Sequence, residues 1–269
     1  MTLELKRVSA KHGDFFTFPD DIYIGRSLAT YGQWCESEVS LFQNILKPGD
    51  CVVEVGANIG SHTVPIARAV GDGMVFAVEM QPFVAQVLAA NTIVNGLTNV
   101  QVVNAGVGAT AEALRVPLID YGIAYNYGGI SMDFLKSQKT PLQQSVPCAP
   151  LDDLLTLTRL DLLKLDVEKV EYDALLGARG HIERFKPVIY LECDDPDEAD
   201  PIIAFLRGLN YDCYWHRSVL WDPENHNGTK GNIFGTQRCV NLMAVQQGRK
   251  VQGFLPAPDS ASHPKHFGK

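Results

Sequence analysis

Apolar residues along this chain follow two rhythms, and the switches between them mark out its elements. Short apolar runs carry or end in an acid: Cys51 to Val55 within the stretch CVVEVGANIGSHT, Met74 to Glu79, Asp161 to Asp166 and Val188 to Glu192. Val100 to Val103 is another, followed by Asn104-Ala105-Gly106. Runs this short, apolar throughout and closed by turn residues, read as buried parallel strands. Helical spacing fills the intervals: Ile66, Ala67 and Val70 before Gly71, then Val84, Val87, Leu88 and Val94 before Gly96. Val170, Ala174 and Leu175 precede Gly177, and Pro201 opens a helix with Ile202, Phe205, Leu206 and Leu209. Proline suits a first helical turn and glycine a helix end. A further helix precedes the first run, with Glu36 and Glu38 in its first turn, Val39, Phe42 and Leu46 inward, and Pro48-Gly49 as its stop. The last two runs, Tyr211 to His216 and Val240 to Val245, alternate instead and read as a closing strand pair. Strand and helix thus repeat about five times, the order of a doubly wound α/β domain.

Three segments break the rhythm. Residues 1–35 form a leader in which Phe15, Phe16 and Phe18 precede Pro19. It ends on a glycine hinge, Tyr31-Gly32-Gln33-Trp34, whose aromatics either staple it to the core or form a lid. Residues 106–150 hold two strand-like pieces, Leu114 to Ile119 and Val146 to Ala149, around the Tyr- and Gly-rich Tyr121 to Ser131. Such loops on a rigid scaffold often carry substrate contacts, and Leu151 to Leu157 reads as a short helix after them. Residues 251–269 read as a flexible tail, since PAPDSASHPKHFGK lacks an apolar pattern. The main domain is then 36–250.

Composition narrows the classes. At 269 residues with 46% hydrophobic content, the chain supports one large core. A net charge of −8 without a Lys/Arg run excludes a broad phosphate-binding face, so no nucleic-acid partner is expected. No apolar run approaches the roughly 18 residues of a membrane span, and MTLELKRVSA has no apolar signal core. A cytoplasmic protein without membrane partners is expected, with a homo-oligomer left open. The six cysteines are scattered without a C-x-x-C pair and read as buried, reduced thiols.

The candidate chemistry sits where the strands end. Gly56 and Gly60 are spaced G-x-x-x-G around Asn58, with Glu54 ahead of them. Dinucleotide sites favour G-x-G-x-x-G with a pyrophosphate at the helix N-terminus. Glu54 would repel a pyrophosphate and suits a cationic ligand such as S-adenosylmethionine. Glu79, at the end of the next strand, falls where such folds place a carboxylate for ribose hydroxyls, although it could also cap the following helix. Asn104 is a candidate for an adenine edge, or only a turn residue. Glu54, Glu79, Asp166, Glu168 and Glu192 together form a carboxylate rim over the strand ends, where doubly wound sheets bind ligands. Asp166, Glu168 and His216 are candidate bases. The spacing demands no metal, and none is expected.

Several ordered motifs carry a resemblance: EVGANIGSHTVPIA, NYGG at Asn126 to Gly129, LDDLL from Leu151, LLKLDVEKVEYDALLGA from Leu162, NIFG from Asn232 and VNLMAV from Val240. Over roughly residues 22 to 246 the chain resembles the FkbM family of S-adenosylmethionine-dependent methyltransferases. The resemblance implies the seven-strand fold with a reversed final hairpin, and O-methylation of hydroxyls on natural products, sugars or glycans. It carries cofactor roles to Glu54, Gly56, Asn58, Gly60, Glu79 and Asp166. Ala57, Ser61, His62, Met80, Asn104, Ala105 and the hinge Tyr31 are expected around the same cofactor. Trp34, Tyr125, Asn126, Tyr127 and Asn232 are expected toward a small-molecule or glycan acceptor. The chain departs from the family in having Lys169 where glycine is usual, and Cys193-Asp194-Asp195 where an Asn-Asp-Arg-like run is. A nicotinamide-dependent oxidoreductase and a non-catalytic module of the same fold are the alternatives.

Overall fold

The computed structural model describes residues 4–131, 142–249 and 251–266. Part of the 106–150 segment and the last three residues of the tail therefore lie outside the described residues. The main sheet takes in turn β3 (Cys51–Val55), β4 (Met74–Val78), β5 (Val100–Val103), β9 (Leu162–Leu165), β10 (Val188–Glu192), β11 (Tyr211–Val219), β12 (Arg238–Gln246) and β13 (Leu255–Pro256). Its order is β13-β11-β12-β10-β9-β3-β4-β5. The block from β10 to β5 is parallel, and β12 inserts antiparallel between β10 and β11. This is the doubly wound α/β architecture with a reversed last strand, widened from seven strands to eight by β13.

Period-two alternation along the strands builds a core on each face. Val53, Leu163, Leu165, Ile189 and Leu191 pack toward the helices after β9: α6 (Glu171–Gly177), α7 (Arg179–Phe185) and α8 (Pro196–Gly208). Val52, Leu162, Val188 and Tyr190 pack on the other face, toward α2 (Glu36–Ile45) and α3 (Thr63–Val70). α4 (Pro82–Val94) and α5 (Leu151–Leu154) complete the layers beside the sheet.

Two of the irregular segments are structured. The leader is a hairpin, β1 (Lys6–Ala10) with β2 (Gly13–Thr17), then α1 (Ile24–Tyr31). Asn91 of α4 clasps β2 by accepting from Phe16 N at 2.6 Å and donating to Phe16 O at 3.1 Å. The segment from 106 folds as a three-stranded sheet, β6 (Gly106–Val107), β8 (Gln143–Ala149) and β7 (Glu112–Pro117).

Two expectations need correction. The tail is docked: β13 pairs with β11, Trp215 Nε1 donates to Ser262 Oγ at 2.9 Å, and the fully buried His263 bonds the Cys193 carbonyl at 2.7 Å. Its polar anchors are joined by Ala257 in the core and by Val251 and Phe254 packed against it, apolar contacts too widely spaced to form a pattern in the sequence. Helix α8 begins at Pro196, with the Asp195 side chain accepting from Asp197 N, so Pro201 lies inside it. The Asp195-Pro196 pair is the stronger start signal, a side-chain cap followed by proline at the first position.

Candidate functional site

The carboxyl ends of β3, β4, β9 and β10 open into one cavity of about 750 Å³, within the roughly 300–1,000 Å³ of small-molecule sites. Gly56 turns the chain out of β3 at φ 81. A Cβ there would stand 1.8 Å from the Asp166 carbonyl oxygen, so only glycine lets the two strand ends meet. Asn58 follows in the left-handed region, φ 49, and lines the cavity.

Glu79 ties this turn to the next strand end. One carboxylate oxygen accepts from Asn58 N at 2.9 Å and the other from Gln81 N at 2.8 Å. Burial nevertheless pushes its carboxyl up to about 7, because those two bonds only partly offset the lost solvation. Each oxygen keeps a lone pair, and Glu79 lines the cavity. It serves as a turn clamp and remains available to a ligand.

Glu54 behaves differently from the expectation of a charge offered to a cationic ligand. It is 1% exposed and does not line the cavity; Thr63 Oγ1 donates to it at 2.7 Å and Lys164 Nζ lies 3.7 Å away. Lys164, from the middle of β9, also reaches Asp166 Oδ2 at 3.0 Å. Burial pulls the Lys164 ammonium down, but Asp166, Glu54 and Glu38 together raise it well above its usual range. Glu54 is thus answered by a cation of its own chain, because its place in β3 points it into the α2–α3 layer.

The remaining rim acids converge. Asp166, Glu168 and Glu192 bring carboxylate oxygens within 4.8 Å of one another. Burial, then the Asp166 charge, pushes Glu168 up to about 8, and the same two causes raise Glu192 well above the carboxylate range. Glu168 and Lys169 sit at φ 54 and 77, a left-handed pair that aims the loop after β9 across the cavity.

Of the other expected residues, His62, Met80, Ala105, Trp34 and Asn126 line the cavity as well. Ala57, Gly60 and Ser61 lie behind its wall in the turn. Asn104 is turned aside, its amide donating to the carbonyls of Glu79 at 2.8 Å and Met80 at 3.0 Å. Tyr31 is buried away from the cavity and hydrogen-bonds Gly231 and Ile233, fixing the 231–233 loop to α1. Tyr127 is buried among Phe18 and Tyr121. Tyr125 is partly exposed beside Asp21, and Asn232 folds onto Gly235 O at 2.5 Å. None of these last three lines the cavity.

His216 also falls outside it. The ring bonds Tyr190 Oη at 2.8 Å and packs on Phe254, and burial lowers its pKa. The next residue, Arg217, does line the cavity, since one step along a strand changes face.

Sequence reasoning missed Glu38, Gln81, Arg217, Arg238, Asn241 and Lys265, all of which line the cavity. Glu38 was visible only as an acid at a helix start. Ser218 and Asn241 both donate to its Oε1, and burial pushes it up to about 7. The acids gather at the parallel strand ends, whereas Arg217, Arg238 and Lys265 come from the closing hairpin and the tail.

Residues 54–213 match the methyltransferase FkbM domain. Among solved structures, the chain resembles methyltransferase FkbM from Methylobacillus flagellatus KT at 16% identity, covering 77% of this chain and 50% of that one, with a TM-score of 0.45. It resembles precorrin-6y C5,15-methyltransferase from Geobacter metallireducens GS-15 at 14% identity, with 78% and 88% covered and a TM-score of 0.46. A third is the O-methyltransferase TomG from Streptomyces achromogenes, solved in complex with SAM, at 15% identity, 79% and 80% covered and a TM-score of 0.43. The chain spans half the length of the first of these. No curated protein matches the chain. At these scores the architecture rests on the chain's own strand order.

Proposed function

The chain belongs to the FkbM methyltransferase family, and on that premise we propose that it is an S-adenosylmethionine-dependent O-methyltransferase. Its acceptor in this reading is a hydroxyl on a small natural product, a sugar or a glycan. The observation that carries the reading is the joining of the Gly56 turn and the Glu79 carboxylate at one end of a cavity whose strand-end wall is acidic. The residues present fit the cofactor: the Gly56 turn lines the cavity beside Glu79, and Glu79 keeps lone pairs for two ribose hydroxyls.

When bound, S-adenosylmethionine supplies an electrophilic methyl group on a sulfonium. The chain's task is then alignment, which can contribute roughly 7–11 kcal/mol when the reacting atoms are held near attack distance. Glu79 and the Gly56 turn would hold the nucleoside end. Asp166 beside them offers a carboxylate to the cationic end. Glu168, whose carboxyl is pushed up to about 8 by burial and by the Asp166 charge, is the base of this reading, taking the acceptor's hydroxyl proton, a role worth about 10²–10⁴-fold in rate. Trp34 and Ile130 give the cavity apolar walls.

The test is transfer of a labelled methyl group from S-adenosylmethionine to a panel of hydroxylated small molecules and glycans. Transfer that falls about 10²-fold or more in Glu168→Gln, with S-adenosylhomocysteine affinity kept, supports the proposal. Cofactor binding without transfer to any hydroxylated acceptor, or binding of a nicotinamide nucleotide instead, sinks it.

A further inference from the structure

We propose that Cys35, Glu38, His62 and Cys239 form a binding site for a zinc-class divalent cation in the wall of the cavity. Three distant parts of the chain converge there: Cys35 caps α2 and Glu38 lies in its first turn, His62 precedes α3, and Cys239 is near the start of β12. The sulfurs of Cys35 and Cys239 and a Glu38 oxygen lie within 4.8 Å of one another. His62 Nε2 stands 3.7 Å from Glu38 Oε2. Tetrahedral zinc, with bonds of roughly 2.0–2.3 Å, holds its ligand atoms about 3.3–3.8 Å apart. The Cys35, Glu38 and Cys239 atoms thus stand somewhat wider than the spacing an ion would impose, and His62 joins the group through its approach to Glu38.

A second observation points to a missing partner. His62 is 4% exposed, yet its Nε2 has no hydrogen-bond partner. A buried ring nitrogen is ordinarily satisfied, and 3.7 Å to Glu38 is beyond hydrogen-bond range. Glu38 is divided in a matching way. Its Oε1 accepts from Ser218 Oγ and from Asn241 Nδ2, which leaves Oε2 as the oxygen nearest His62. Metal-binding carboxylates are commonly held like this by an outer shell.

Cys35 adds a backbone argument. It takes φ 41 and ψ 54, a left-handed conformation that a cysteine adopts only when its surroundings impose it. Two thiolates with an imidazole select zinc over magnesium or calcium, which prefer oxygen donors. The neighbouring trio Asp166, Glu168 and Glu192 offers oxygen alone, so the ligand type separates the two places experimentally. Such an ion would cross-link the leader end, the glycine turn and the closing hairpin around the cavity. It would form whether or not methyl transfer is the reaction.

The experiment uses the full chain, reduced and stripped with a chelator, then titrated with Zn²⁺ and with Co²⁺ as a coloured probe. One equivalent binds, Co²⁺ gives a thiolate-to-metal charge-transfer band in the near ultraviolet, and Zn²⁺ raises the melting temperature. Cys239→Ser, at a partly buried position, loses about half of that band. His62→Gln keeps the band while its affinity falls more than about tenfold. Co²⁺ bound without the band would place the ion on the carboxylates and overturn the proposal. No stoichiometric binding, an unchanged Cys239→Ser, or a Cys35–Cys239 disulfide in the freshly isolated protein would overturn it equally.

Discussion

Replacing Glu79 with glutamine removes one charge at nearly constant volume, and the structure sets the size of the effect. The carboxylate accepts two backbone N–H groups, from Asn58 and Gln81. Glutamine can satisfy only one of them, and its NH₂ then faces the other donor. An unsatisfied buried group of that kind costs about 1–3 kcal/mol of stability. The cofactor loses more: two hydroxyls bound to a charged acceptor contribute roughly 1.5–3 kcal/mol each. Keeping one weaker bond to the amide oxygen leaves a deficit of about 3 kcal/mol, or roughly a hundredfold in affinity. The pH dependence gives an independent reading. Glu79 ionises near 7 in the free protein against 4.5 ordinarily. The folded state therefore binds more protons between those values, and the free protein loses stability through Glu79 as pH rises across that window. A ligand that donates to the ionised carboxylate binds better as pH rises, by about tenfold between pH 6 and pH 8. Glu38 and Glu168 titrate in the same range, so the difference between wild type and Glu79→Gln at each pH isolates Glu79. Isothermal titration with S-adenosylhomocysteine provides the numbers, and a melting curve shows that the variant is folded. An affinity within threefold of wild type at pH 8, or the same pH trend in both proteins, would refute the reasoning.

Lys169→Gly should stabilise the protein by roughly 1 kcal/mol, because φ 77 costs a side chain about 1–2 kcal/mol that glycine avoids; an unchanged urea midpoint would contradict it. His216→Ala should leave turnover intact while lowering stability by about 1 kcal/mol through the lost Tyr190 bond; a tenfold drop in rate would restore the histidine to the site. Lys164→Met strips the buried cation from Glu54 and Asp166 and should cost about 3–5 kcal/mol in denaturant unfolding. That loss should shrink from pH 8 to pH 5 as the stranded Glu54 carboxyl, already raised by burial, takes up a proton, and an equal loss at both values would show that charge is not the cause.

The parallel strands were legible because they are buried on both faces, so that Val52 and Val53 are both apolar and both inaccessible. The Gly56 turn and the reach of Glu79 followed from spacing for the same reason: strand ends in such sheets share one rim. Facing was harder to read. Glu54 and His216 sit at the right height in the sheet, but side-chain period sends them into the α2–α3 layer, where Lys164 and Tyr190 meet them. Nothing local separates His216 from Arg217, since that choice depends on how β11 registers against β12. Cys35, Glu38 and Cys239 were beyond reach because more than half the chain lies between them in sequence. The family's customary glycine at Lys169 was visible, and the structure supplies its reason in the positive φ.

The cavity takes its walls from Tyr23 at one extreme and Lys265 at the other. A nascent chain leaving the ribosome presents the Gly56 turn and Glu79 early, but Arg217, Arg238 and Lys265 emerge only near the end. The proposed cofactor contacts at Gly56, Glu79 and Asp166 thus come from the parallel strand ends, and bound cofactor stabilises that half of the sheet directly while the hairpin only closes the opposite wall.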